Sequence, residues 1–152
     1  MVSQSILIQA PIDVVYHCIV DFESYPQFLP EVKSAKVEWV DDKEMEVAFK
    51  VNLIKEIAYT LHFELDPSRS VYWKLKQGDM MKANSGSWEL KAKGDNTTHA
   101  TYAIDIRFGL WVPNMITQTL TEKSLPQTLK RFKKRAEQLK FKNQKAKIKI
   151  KD

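Results

Sequence analysis

The residues of this chain whose types could do chemistry are three histidines, one cysteine and a few tyrosines, and their spacing limits what that chemistry can be. His17, His62 and His99 fall on different expected elements, and none stands in a spacing that gathers metal ligands. No metal site is expected, and no cofactor. Cys18 lies in the apolar run Val14 to Val20, where a small buried hydrophobe is the expected role. There is no nucleophilic Cys-His arrangement, no Gly-rich phosphate loop and no Gly-x-Ser-x-Gly turn. Tyr59 and Tyr102 fall on inward strand positions and are the polar handles of the interior. Acid–base catalysis needs a positioned titratable group inside a pocket. Beyond those two phenols and a rim residue such as Asp79 none is readable, so binding is expected rather than catalysis, and no catalytic residue is assigned.

Two periodicities supply the elements that must hold these groups. Leu125, Leu129, Phe132, Ala136 and Leu139 recur at spacings of four and three, which puts one apolar stripe on one face of a helix expected from Pro113 to about Phe141. Lys130, Arg131, Lys133, Lys134, Arg135 and Lys140 stand between the stripe positions and form a basic surface. Pro126 must kink a continuous helix; the alternative is a restart, since Ser124 and Gln127 have the spacing of a capping box that would place Pro126 inside the first turn of a new helix.

Before Trp111 the pattern is that of strands. Ser3 to Ala10 is the first, Pro11 opens a helix over Ile12 to Val20, and residues 21–30, bracketed by Pro26 and Pro30, allow at most two helical turns. From Val32 the period becomes two and six strands follow, joined by short turns that make neighbours antiparallel. The expected fold is α+β: a seven-stranded curved antiparallel sheet around a long C-terminal helix, with two short helices after the first strand. Trp39, Phe49, Tyr59, Phe63, Trp73, Trp88, Tyr102 and Phe108 are placed on the inward register. A sheet curled round one helix encloses more space than the helix fills. Phe49, Tyr59, Trp73, Trp88 and Tyr102, with Met115, Ile116 and Leu120 from the helix, are therefore the expected wall of an apolar ligand cavity. The competing reading is that these rings are simply the core.

At 152 residues the chain has the size of one domain, which buries about 70% of its extended surface and needs no staple. The net charge of +5 is unevenly spread: residues 1–122 hold 12 Lys and Arg against 17 Asp and Glu, residues 123–152 hold 12 against 2. Residues 142–152, with five lysines and few hydrophobes, are expected to be a disordered basic tail beyond a domain spanning 1–141. The N-terminus lacks the cationic flank of a signal peptide and no run reaches the ~18 apolar residues of a membrane span, so a cytoplasmic location is expected.

The element order, with APIDVVYHCIVDFESYPQFLP at residues 10–30, resembles the START-like (SRPBCC) superfamily of polyketide cyclases/dehydrases and lipid-transport proteins, which has a helix-grip fold. The resemblance covers residues 3–140. Asp21, Glu23, Tyr25, Pro26, Phe28, Leu29 and Pro30 look like the coenzyme Q-binding and ribosome-association-toxin branch. GSWEL at 86–90, THATYAI at 98–104 and WVPNMI at 111–116 look like generic cyclase/dehydrase members. The resemblance implies a lipid, quinone or polyketide-like ligand, with a cyclase/dehydratase-type enzyme and a ribosome-associated regulator as alternatives.

The connections after Val51, Leu75 and Phe108 should emerge at one edge of the sheet. They carry Leu53 and Ile54, Met80 and Met81, and Trp111 and Val112, an expected apolar cavity entrance. Transient contact with an anionic membrane through this mouth and the basic Lys130, Arg131, Lys134 and Arg135 is one expected partner. RNA or a ribosome is a weaker one, because few aromatic rings interleave with the cations.

Overall fold

Alternating apolar and polar residues from Val32 to Phe108 build six successive strands, and tight turns fold each back on the one before. In the computed structural model, which describes residues 1–53, 55–109, 112, 113, 117, 118 and 123–142 and the backbone alone of 143–151, these are β2 (Val32–Asp41), β3 (Glu44–Asn52), β4 (Glu56–Asp66), β5 (Ser70–Gly78), β6 (Met81–Ala92) and β7 (Thr98–Phe108). β1 (Val2–Ile8) precedes them and pairs with β7, giving one antiparallel sheet in the order β1-β7-β6-β5-β4-β3-β2. The excursion from Gln9 to Glu31 therefore carries the chain from one edge of the sheet to the other.

That excursion holds α1 (Ile12–Val20) and a 3-10 turn (Phe22–Gln27). Pro11 at the N-cap, φ −58° and ψ 150°, has no N–H to leave unsatisfied, and Asp13 favours the positive end of the helix dipole. The turn buries Phe22 and Tyr25, and the Tyr25 hydroxyl donates to the Ile19 carbonyl, which ties the turn to the end of α1.

The C-terminal helix α2 (Leu125–Lys151) lays its stripe on the sheet: Leu125, Leu129, Phe132 and Ala136 are buried and Leu139 packs partly against them. Residues 117 and 118 are helical and the Thr117 N–H donates to the Pro113 carbonyl at 3.3 Å, but α2 itself starts at Leu125 rather than Pro113. Pro126 thus sits in a first turn, where its missing donor breaks no bond, and Thr128 N–H closes that turn on the Ser124 carbonyl at 3.0 Å. The start at Leu125, with Pro126 in the first turn, is the one that a restart expects. At its other end the backbone of α2 continues to Lys151. Lysine, glutamine and alanine are strong helix formers, and cations suit the negative end of a helix dipole.

One ring expected inside lies outside. The pairing of β2 with β3 shifts between Val37 and Trp39, so Val37 faces Val47 while Trp39 faces Glu46. This bulge reverses the alternation. Trp39 is 43% exposed and stacks on His62 of the outer face, ring centroids 6.1 Å apart.

Candidate functional site

The sheet curves because bulges interrupt β2, β5 and β6, and α2 fills only part of the resulting trough. Phe132 of α2 meets Tyr25, Phe28 and Trp88 edge to face with centroids 5.4, 5.1 and 5.0 Å away, and Phe22 packs on Phe63 at 4.3 Å. Beyond this ring cluster the helix and sheet part around a cavity of about 490 Å³.

Phe49, Tyr59, Trp73, Trp88 and Tyr102, the expected wall, all line it. They form two runs that Phe63 joins: Phe49 stacks on Tyr59 at 5.6 Å, Tyr102 touches Trp73 at 5.6 Å and Trp88 at 4.8 Å, and Phe63 lies 6.3 Å from Phe49 and 6.0 Å from Trp73. Met115, Ile116 and Leu120, expected to complete the wall, lie outside the described residues.

The polar groups on this wall are few and mostly donors. Neither the Tyr59 nor the Tyr102 hydroxyl has a hydrogen-bond partner among the described residues. Burial pushes both phenols up, with the Glu31 carboxylate adding to the effect at Tyr59, and Tyr59 and then Glu31 at Tyr102. Both therefore stay protonated at any ordinary pH. Asn84 is 4% exposed, accepts the Trp73 indole N–H on Oδ1 at 3.1 Å, and directs Nδ2 at the Met81 sulfur, 3.7 Å away. Sequence reasoning missed Asn84 because KANSGS, residues 82–87, reads as a connection. Only the inverse pattern, small residues facing large inward rings on the next strand, could have signalled a strand there.

The rim is polar. Glu31, Asn52, Lys123, Gln127, Thr128 and Arg131 line the cavity, and Arg131 Nη1 stands 3.9 Å from Glu31 Oε2. Glu31 was not singled out in the sequence, where it follows Pro30 with no pattern around it.

The apolar entrance is folded inward. Leu53 is half-buried and lines the cavity, and Met80, with φ 63° in a tight turn, packs partly on the core. Met81 is not a loop tip: it opens β6 opposite Phe108 and is buried, as is Val112. Bonds from Gly109 N–H to the Met80 carbonyl at 2.9 Å and from Asp79 N–H to the Ala58 carbonyl at 3.0 Å stitch these turns together. Ile54 and Trp111 lie outside the described residues.

The four basic residues divide into two pairs. Arg131 turns to the rim and Glu31, and Arg135 donates to Gln27 Oε1 at 2.8 Å with its guanidinium 5.5 Å over the Phe28 ring, clamping α2 to the 3-10 turn. Lys130 and Lys134 are exposed, on a shallow groove with Phe141 and Lys142. Among the described residues no cluster of His, Cys, Asp and Glu could hold a metal, and no helix is long and apolar enough to cross a membrane.

Comparison with known proteins places this geometry. Residues 8–133 match the family model described as polyketide cyclase / dehydrase and lipid transport. Similar solved structures include a START superfamily protein from Mycobacterium smegmatis, with TM-score 0.80 and 21% identity over 91% of this chain and 97% of that one. The Zhui aromatase/cyclase from Streptomyces sp. R1128 has TM-score 0.80 and 16% identity over 90% and 92% of the two chains. A STAR-related lipid transfer protein from Xanthomonas axonopodis has TM-score 0.70 and 17% identity over 89% and 84%. At these identities the structural likeness is one of fold. A comparison with curated proteins finds no match.

Proposed function

Given that the chain belongs to the polyketide cyclase/dehydrase and lipid-transport family, we propose that it binds a hydrophobic small molecule in the cavity between the curved sheet and α2. The observation that carries this reading is the 490 Å³ void itself, walled by rings from five strands, β3 to β7. Interiors are normally packed to crystal density, so a void of this size surrounded by large side chains has the character of a site. A lipid, a quinone or a polyketide-like molecule has the right mix of apolar area and sparse oxygen.

Native mass spectrometry of the purified protein, followed by solvent extraction of what copurifies, tests the reading. A bound small molecule is the expected result, with Trp73 and Trp88 emission changing when it is stripped. Protein that carries nothing, and whose emission no apolar compound alters, would remove the carrier reading.

Glu31 supports a second reading, a cyclase/dehydratase-type enzyme. It is a carboxylate that lines the same cavity as two protonated phenols, which is an acid–base set of the right kind. Under that reading Glu31→Gln abolishes turnover of a polyketide-like substrate while leaving its binding intact.

Delivery from an anionic membrane fits the exposed Lys130 and Lys134 and the lysine-rich end of α2, since each lysine near such a surface contributes about 1 kcal/mol. Deleting residues 142–152 would then reduce cosedimentation with anionic but not neutral liposomes. Loss confined to ribosomes would favour the RNA-associated alternative.

A further inference from the structure

We infer that Tyr59, Tyr102 and Asn84 form a donor site that selects a neutral oxygen acceptor, of the carbonyl kind, on an otherwise apolar ligand. This inference rests on the ligand-binding reading of the cavity and adds to it the chemistry by which one ligand is told from another.

One donor on the wall is oriented by its partner and two are unengaged among the described residues. Indole nitrogen can only donate, so the Trp73 N–H fixes the Asn84 oxygen toward Trp73 and turns the Asn84 amide nitrogen the other way. The described contact of that nitrogen is a thioether sulfur at 3.7 Å, a weak acceptor. Tyr25, the third tyrosine on the cavity, has its hydroxyl committed to the Ile19 carbonyl. Tyr59 and Tyr102 have no such partner among the described residues, and both are held as neutral phenols by burial. No buried side-chain polar atom among the described residues is without a partner and sealed from the void, so these hydroxyls reach the cavity space. Away from the rim, where Glu31, Asn52 and Gln127 stand, the wall therefore offers hydrogen and lacks strong acceptors.

A plain hydrocarbon entering here would displace water from these donors and leave them unpaired. Stranding a buried donor is more unfavourable than a made bond is favourable, so the site discriminates against the hydrocarbon more than it attracts its oxygenated analogue. The sign of the charge is set as well. The Glu31 carboxylate acts on both phenols and already has Arg131 Nη1 3.9 Å away at the rim, so a carboxylate placed between the phenols would lose its hydration without gaining a cation of its own. A neutral carbonyl accepts from such donors without that penalty.

A matched set of rigid probes tests this: fluorene, fluorenone and fluorenecarboxylate share one ring system and differ in the oxygen they present. Binding is followed by quenching of tryptophan emission in the full-length protein and in Tyr59→Phe, Tyr102→Phe and the double variant, which keep every ring. Fluorenone should bind on the order of tenfold tighter than fluorene. The double variant should lose most of that preference, chiefly by binding fluorene more tightly once no phenol is left unpaired, and the carboxylate should bind more weakly than the ketone. Equal affinity for fluorene and fluorenone in the unmodified protein overturns the donor site and leaves the cavity reading standing. Tightest binding of the carboxylate overturns it in favour of an anion site at Arg131. Failure of all three probes to bind removes the ligand-binding reading of the cavity together with this inference.

Discussion

Trp73 lies across Gly86 so closely that a β-carbon at position 86 would stand 2.3 Å from Trp73 Cζ2 and 2.4 Å from the Ala103 carbonyl oxygen. The two residues are direct partners between β5 and β6. The missing side chain is what lets the indole lie flat enough for its N–H to reach Asn84. Gly86→Ala leaves neither neighbour room to yield, since one obstacle is a buried ring and the other is backbone. The expected outcome is a loss of about 1–3 kcal/mol, as for other overpacked cores, with a red shift of Trp73 emission. Urea unfolding with an unchanged midpoint would show that the contact is not tight.

His62 on the outer face lies between two carboxylates that accept from its ring N–H groups, Glu46 at 2.9 Å and Glu44 at 3.1 Å, and Trp39 covers its ring. Hydrogen bonds to Glu46 and then Glu44 raise its pKa above the ordinary 6.5. Bonds from Lys76 and then His62 lower Glu46 below the ordinary 4.5. The histidine's contribution is complete below 6.5 and fades as pH rises through its raised value. The glutamate's is complete above 4.5 and fades as pH falls through its lowered value. Stability from this cluster is therefore greatest between the two. The melting temperature of the native chain should exceed that of His62→Gln by more at about pH 5.5 than at about pH 8.5. A constant difference would mean that the imidazolium adds nothing.

Phe132 is the ring through which α2 grips the rest of the molecule, touching the 3-10 turn at Tyr25 and the sheet at Trp88. It is 4% exposed, so Phe132→Ala removes a full side chain beside an existing void. We expect a loss of about 3–5 kcal/mol in denaturant unfolding. The neighbouring surface change Lys130→Ala should stay within about 0.5 kcal/mol, because Lys130 is exposed. Similar values for both would dissolve the distinction between stripe and outer face.

Most of the fold was legible because two periodicities run almost without error: period two on the strands, and the alternating three and four of Leu125 to Leu139. Each misreading has a local cause. A bulge after Val37 moved Trp39 to the outer face, and a bulge leaves no mark in a hydrophobic pattern. The first half of β6 escaped notice because it faces Trp73 and must be made of small residues, which look like loop. Asn84 was lost with it. The five aromatic wall positions were readable since large inward rings on adjacent strands must meet. Glu31, Gln127 and Arg131 come to the rim by tertiary placement alone, for which the sequence carries no spacing signal.

Cys18 gives the last prediction, and it follows from burial on α1. The thiol is 3% exposed and is pushed up to about 12, chiefly by burial, with Asp21 raising it further against a lowering by Arg135. A thiol with so high a pKa is protonated at pH 8 and so is not a nucleophile, and a reagent the size of an aromatic disulfide cannot reach it through the packed helix face. Labelling must wait for α1 to leave the core, so its rate measures that opening. In native buffer we expect labelling slowed on the order of a thousandfold or more relative to the urea-unfolded chain. Phe132→Ala should accelerate it in proportion to the stability lost, if α1 and α2 open together as their shared packing implies. Labelling of the folded protein at the rate of a free thiol would show that α1 detaches readily, and that the wall it supports at Ile19 is not a fixed one.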